Sequence, residues 1–232
     1  MLAVEHSVPA FNPGDNNVRI DRWALLLAAQ AACASAAAAA ATATADCVAI
    51  GKPAPSAGYT YEHRESSGTR TTYTDYWEDV TDKGSRVRLE RAGSKSIQVN
   101  EHHIENDVVV LDRTSRKNAT GGAIDSTVFH PGIVSDPAFR ICAGRSWNIP
   151  SVTATYQSTR TSASTTTPAG ELKIIAIHET ISVPAGAFDT VHYIRTSQSV
   201  DEYWKSIEQG VVVRHIGGFK GGAITETLVS IR

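Results

Sequence analysis

Residues 101–107, Glu101-His102-His103-Ile104-Glu105-Asn106-Asp107, form the one segment dense in metal-ligating types. Neighbouring residues on a strand point to opposite faces, so His102 and His103 cannot share an ion unless they occupy a turn. No H-x-x-x-H or C-x-x-C spacing accompanies them, and the segment reads as a solvated loop with no metal. Serine, histidine and aspartate are plentiful, yet no G-x-S-x-G elbow presents a nucleophile. Cys142 belongs to a disulfide more readily than to a catalytic centre. The carboxylate neighbours Asp201 and Glu202, and Glu78 and Asp79, face apart on a strand, whereas an acid/base pair needs a defined separation across a substrate. Gly217-Gly218-Phe219-Lys220-Gly221-Gly222 lacks the spacing and following helix of a phosphate loop and reads as a hairpin turn. No catalytic residue and no cofactor site are assigned.

Aromatic side chains offer more. Tyr59, Tyr61, Tyr73, Trp77, Trp147, Tyr156, Tyr193 and Trp204 all fall in β-prone segments. Burial of such rings is ordinary core stabilisation, roughly 2–3 kcal/mol each by area, but an apolar concavity lined with them would make a pocket. If one exists, its wall should include Trp77, Trp147 and Trp204, with Tyr193 as a fourth contact. An indole reaches across a concave sheet and needs a polar partner for its N–H.

The elements that position these rings are strands. Thr71, Tyr73, Asp75 and Trp77 alternate with Thr72, Thr74 and Tyr76, and with Tyr59, Tyr61 and His63 before the Ser66-Ser67-Gly68 turn they predict an aromatic hairpin. Arg86 to Glu90 alternates charged and apolar residues, the pattern of a sheet with one wet face. Val108 to Leu111 predicts a more buried strand, and Gly121-Gly122 breaks the pattern. Further strands are expected over 152–159, 171–182, 189–199, 211–216 and 223–231, with Pro184 and Gly186 at a hairpin tip. About ten to twelve strands and no helical period predict a mainly β fold, a single curved antiparallel sheet forming a half-barrel or open barrel.

Ahead of this domain the sequence reads as an address. Arg19 and Arg22 precede an uncharged run from Trp23 to Ala45, and Asp46 follows at once. A positive start, an apolar stretch around Leu25-Leu26-Leu27 and small-x-small sites at Ala34-Ser35-Ala36 and Ala43-Thr44-Ala45 make a secretory signal over 18–45. Fourteen of the 22 residues from Ala24 to Ala45 are alanine, too weakly apolar for a retained span, so no transmembrane helix is expected in the mature chain. Residues 1–17 form a polar extension, and translation from Val18 would remove it. Cys33 would be the site of a lipid anchor, but Gln30 stands where a leucine-like residue is expected. The mature chain, 46–232, keeps Cys47 and Cys142, and two thiols in an oxidising compartment predict one disulfide. A net charge of −2 with no basic cluster demotes nucleic acid as a partner.

Four pieces stand out between Phe139 and Ile231: Gly144-Arg145-Ser146-Trp147, Val183-Pro184-Ala185-Gly186-Ala187-Phe188-Asp189-Thr190, Tyr203-Trp204 and Gly210-Val211-Val212. On these the segment resembles a loose group of uncharacterised bacterial secreted or envelope proteins. These proteins are similar to the β half-barrels of lipoprotein localisation factors, whose curved sheet encloses a greasy concavity. The departure lies at Ile207-Glu208-Gln209-Gly210, where that group carries a Pro-Gly-x-Gly-like tip. The resemblance implies a periplasmic or secreted, non-catalytic envelope protein that binds a lipid or other apolar molecule in its concave face. The alternatives are a structural or assembly factor that contacts another envelope protein through a filled core and open edge, and an enzyme whose cleft would show convergent polar groups and perturbed pKa values.

Overall fold

The computed structural model describes residues 46–91, 93–219 and 222–232. The expected signal over 18–45, the extension 1–17 and Cys33 lie outside the described residues. Among the described residues there are sixteen strands and no helix, hence no helix long and apolar enough to cross a membrane.

Short polar turns lay down an antiparallel meander of β2 (Gly58–Glu65), β3 (Arg70–Glu78), β4 (Gly84–Arg91), β5 (Ser96–Glu105), β6 (Val108–Asn118) and β7 (Ala123–Pro137). β10 (Val152–Ser158) and β11 (Ser162–Thr167) extend this wing beyond β7. The second wing starts at β9 (Ser146–Ile149) and runs through β12 (Gly170–Val183), β13 (Gly186–Thr196), β14 (Val200–Ser206), β15 (Val212–Phe219) and β16 (Gly222–Ile231). Pairing of β16 with β2 joins the wings into one 14-stranded sheet whose edges are β11 and β9. β1 (Cys47–Ala49) and β8 (Arg140–Cys142) make a separate two-stranded sheet, and Cys47 and Cys142, opposite each other in its register, are joined as a disulfide.

The single curved antiparallel sheet expected from the sequence is what forms, and it stays open. Bulges at Glu101/His102, Ile174/Ala176, Trp204/Lys205 and Leu228/Ser230 bend the strands. The bending brings distant strands together: Val108, Val110 and Val134 of β6 and β7 share a core with Leu172 and Ile174 of β12 and with Val191 and Tyr193 of β13. Val48 and Ile141 of the small sheet complete that core. A second core gathers Tyr59, Tyr61, Val213 and Leu228.

The extra strands beyond the ten to twelve expected are those without a readable alternation. β7 runs through Pro131-Gly132, and β11 is Ser-Ala-Ser-Thr-Thr-Thr. Gly217 and Gly218, expected to break the chain, sit inside β15 and pair with Ile224 and Ala223.

Candidate functional site

Period-two alternation selects which side chains enter the concavity. On β3 the face carrying Tyr73 also carries Asp75 and Trp77, and register pairs Tyr73 with Tyr61 of β2, whose rings stack at 5.1 Å. Tyr61 in turn lies opposite Leu228 of β16. One row crosses the floor from β13 to β2: Tyr193, Tyr203, His215, Glu226 and His63 are successive register partners. The row is stacked at one end and ionic at the other. Tyr203 lies flat between Tyr193 at 5.0 Å and His215 at 4.3 Å. His215 Nδ1 reaches Glu226 Oε2 at 3.0 Å and its Nε2 reaches Asp201 Oδ1 at 3.3 Å, while His63 Nδ1 reaches the other Glu226 oxygen at 3.0 Å.

The facing wall comes from the far wing. Tyr193 donates its hydroxyl to Asp136, and the buried Lys205 donates from Nζ to the Pro137 carbonyl at 3.0 Å. His102 of β5 stands beside Trp77, centroids 6.4 Å apart. Between these walls lies a partly open cavity of about 210 Å³ whose lining includes Asp75, Trp77, His102, Asp136, Tyr203 and Glu226.

Electrostatics inside are strongly perturbed. Burial, reinforced by the charge of Glu226, pushes the Asp75 carboxyl up to about 7. Burial would also raise Glu226, but hydrogen bonds from His215 and His63 outweigh it and hold that carboxyl low. Burial works against a charged His215, yet its bonds to Asp201 and Glu226 prevail and raise its pKa. Asp136 stays below its ordinary range because Lys205 and the Tyr193 hydroxyl overcome its burial. Burial lowers Lys205 and His102. Three polar atoms of this lining are buried without a partner: Asp75 Oδ1, Trp77 Nε1 and His102 Nδ1. Burying a polar atom without a hydrogen bond costs about 1–3 kcal/mol.

The four aromatic residues singled out from the sequence separate. Trp77 lines the cavity, and Tyr193 lies buried in its floor row. Trp147 lines a different groove of about 420 Å³ with Val108 and Val134, its Nε1 donating to the Asn106 carbonyl at 2.9 Å and the Arg145 guanidinium over its ring. Trp204 follows Tyr203 on β14 and so points to the opposite face, stacked on His192 at 4.4 Å with Arg214 nearby. His102 and His103 likewise part: the first lines the cavity and the second meets Asp112 at 2.8 Å. Among the described residues no group of three or more His, Cys, Asp or Glu side chains is placed to hold a metal ion.

Of the ionisable groups that define the cavity only His102 was weighed from the sequence, as a metal ligand; Asp75, Asp136, Lys205, His215 and Glu226 were not singled out. Their signal is a charged residue on an aromatic face: Asp75 between Tyr73 and Trp77, and Glu226 two residues before Leu228. Asp201 and Glu202 do face apart, the first to His215 and the second to His192 at 3.5 Å.

Fold and site together define an open antiparallel β half-barrel with a polar, ionisable concavity. No family model matches the chain, and no curated protein matches it. Among solved structures it is similar to a candidate exported protein with a YmcC-like fold from Bacteroides fragilis, at 12% identity and a TM-score of 0.47, over 80% of this chain and 99% of that one.

Proposed function

We propose that the chain is an exported, non-catalytic cell-envelope protein that binds a small ligand in the concave face of its half-barrel. The observation that carries this reading is the set of three buried, unpartnered polar atoms, Asp75 Oδ1, Trp77 Nε1 and His102 Nδ1, on one cavity. Arg86 Nε, His192 Nε2 and Trp204 Nε1 lack a hydrogen bond elsewhere, but Asp75 Oδ1, Trp77 Nε1 and His102 Nδ1 gather on one cavity, where each costs stability unless a guest satisfies it. Export is supported by the basic start, alanine-rich run and small-x-small sites of residues 18–45 and by the disulfide.

The lining narrows the ligand. An acyl chain wants an apolar wall, whereas this cavity presents carboxylates, imidazoles and an ammonium. If a lipid is bound, its headgroup is the part that fits. Native mass spectrometry of protein purified from its own envelope tests the reading: a reproducible small mass that leaves on denaturation supports it, and a bare polypeptide mass in every preparation counts against it.

A second reading, an enzyme, is favoured by one observation, the Asp75 carboxyl held near 7 in a cleft beside Glu226 and His215, a value suited to a general acid or base. Chemical conversion of the co-purified molecule on incubation, lost in Asp75→Asn, would select it.

A further inference from the structure

We infer that the ligand of the concavity is a small organic ammonium compound that also carries an oxygen acceptor, its nitrogen held by Asp75 and its oxygen by Trp77. The inference rests on the concavity being a binding site.

The charges of the lining select such a ligand. Each cationic side chain of the lining has at least one partner within the protein, although Lys205 and Arg195 keep further N–H donors. Lys205 donates to the Pro137 carbonyl, Arg195 lies 4.0 Å from Asp201 with its guanidinium over the Tyr203 ring, and His215 spans Glu226 and Asp201. The buried atoms of the lining with no partner at all are one carboxylate oxygen and, two residues along the same face of β3, one indole N–H, with the His102 nitrogen beside it. An anion alone would face Asp75 with Glu226 behind it at low dielectric, where like charges repel strongly. A hydrocarbon would leave all three atoms unpaired. An ammonium donates to Asp75 and offsets its charge, and Tyr61 and Tyr73 on the same cavity offer rings to its alkyl carbons or its charge. An oxygen a few bonds away accepts from Trp77 Nε1. About 210 Å³ admits one compact molecule of this kind. Such chemistry occurs in free amino alcohols and in aminated lipid headgroups, and the two sources are separable.

The probe is ethanolamine, with ethylene glycol as its uncharged counterpart and ethylamine as the amine lacking oxygen, titrated by calorimetry and tryptophan emission into the full chain isolated from its host. Ethanolamine is expected to saturate, and ethylene glycol to bind at least tenfold more weakly. Asp75→Asn should cost ethanolamine at least tenfold, while Trp77→Phe should weaken ethanolamine and leave ethylamine unchanged, a pattern that mere unfolding would not give. The titratable groups around Asp75 are Tyr59, directly opposite on β2, Tyr61 on β2, Tyr73 on β3 and Glu226 on β16, with His102, His215 and Lys205 on the same cavity. Tyr61 and Tyr73 are pushed up and Glu226 down, so ionisation of Asp75 should tighten ethanolamine about tenfold between pH 6 and 8, a component absent from Asp75→Asn. Vesicles of phosphatidylethanolamine set against phosphatidylglycerol identify a headgroup source: a response to the first alone, or to free ethanolamine, supports the inference. Equal binding of ethylene glycol, or ethanolamine binding unchanged in Asp75→Asn, overturns it while a binding protein stands. If no probe binds and no mass co-purifies, the binding reading falls, and this inference with it.

Discussion

Asp75 is the residue on which the interior turns, because a carboxyl raised to about 7 is a destabilising group at neutral pH. With a folded value above the unfolded one, its favourable contribution is complete below pH 4 and is lost as pH climbs through 7. The loss is at most about 4 kcal/mol, a bound set by the size of that shift. Asp75→Asn should therefore gain on the unmodified protein as pH rises: thermal melts at pH 4.5 and 8 should show the difference between the two moving in the variant's favour. A pH-independent difference would place Asp75 in an ordinary solvated setting. His215 runs in the same direction for a different reason: here hydrogen bonds favour the charged form, where burial of Asp75 favours the neutral one. Its two ring nitrogens can both donate only as imidazolium, and the raised pKa means its contribution is present below the unfolded value and fades above the folded one. His215→Gln should cost about 1.5–3 kcal/mol at pH 6, the range of charged hydrogen bonds, and distinctly less at pH 9, as read from urea midpoints. None of this was legible from the aromatic pattern alone, since a single strand shows which residues share a face but not which distant strand supplies their partners. Glu226 meets His63 across 163 residues of chain.

The strands themselves were legible where side chains alternate. β2, β3, β12 and β13 fall where tyrosines, isoleucines and turn residues predict them, because period two leaves a mark wherever one face is buried. β11 left none: five of its six side chains are exposed, so its pairing with β10 is a backbone matter. Glycine carried two different meanings. At the β12–β13 tip Gly186 has φ of +138° and pairs with Val183 around Pro184-Ala185, a conformation that a β-carbon disfavours. Gly186→Val should lower the urea midpoint by the equivalent of about 1–3 kcal/mol, and an unchanged midpoint would show the tip to be permissive. Gly217 is a glycine for space: a β-carbon there would lie 1.9 Å from Asp201 Oδ1. Gly217→Ala should displace Asp201 from His215 and lower the imidazole pKa measured by NMR, whereas an unmoved titration would mean that the strand yields instead.

For the whole molecule, openness is the central fact. Fourteen strands curl until β6 and β7 share a core with β12 and β13, yet edges β9 and β11 remain unpaired with one another. The two-stranded β1–β8 sheet contributes Val48 and Ile141 to that core, and its disulfide ties the first described strand to the chain 95 residues later. Removing that link by Cys47→Ser should cost on the order of 2–4 kcal/mol, and both thiols of the unreduced, denatured protein should resist alkylation before that change. The curled sheet leaves charged groups from both wings around one space, the arrangement a guest would use and a packed core would avoid. The most direct measurement is a high-resolution crystal structure of protein purified from its own envelope. A bound guest should appear in the concavity as electron density for a non-water molecule bonded to Asp75 Oδ1 and within reach of Trp77 Nε1. A concavity collapsed on itself, or filled only by ordered water bridging Asp75, Trp77 and His102, would contradict guest binding.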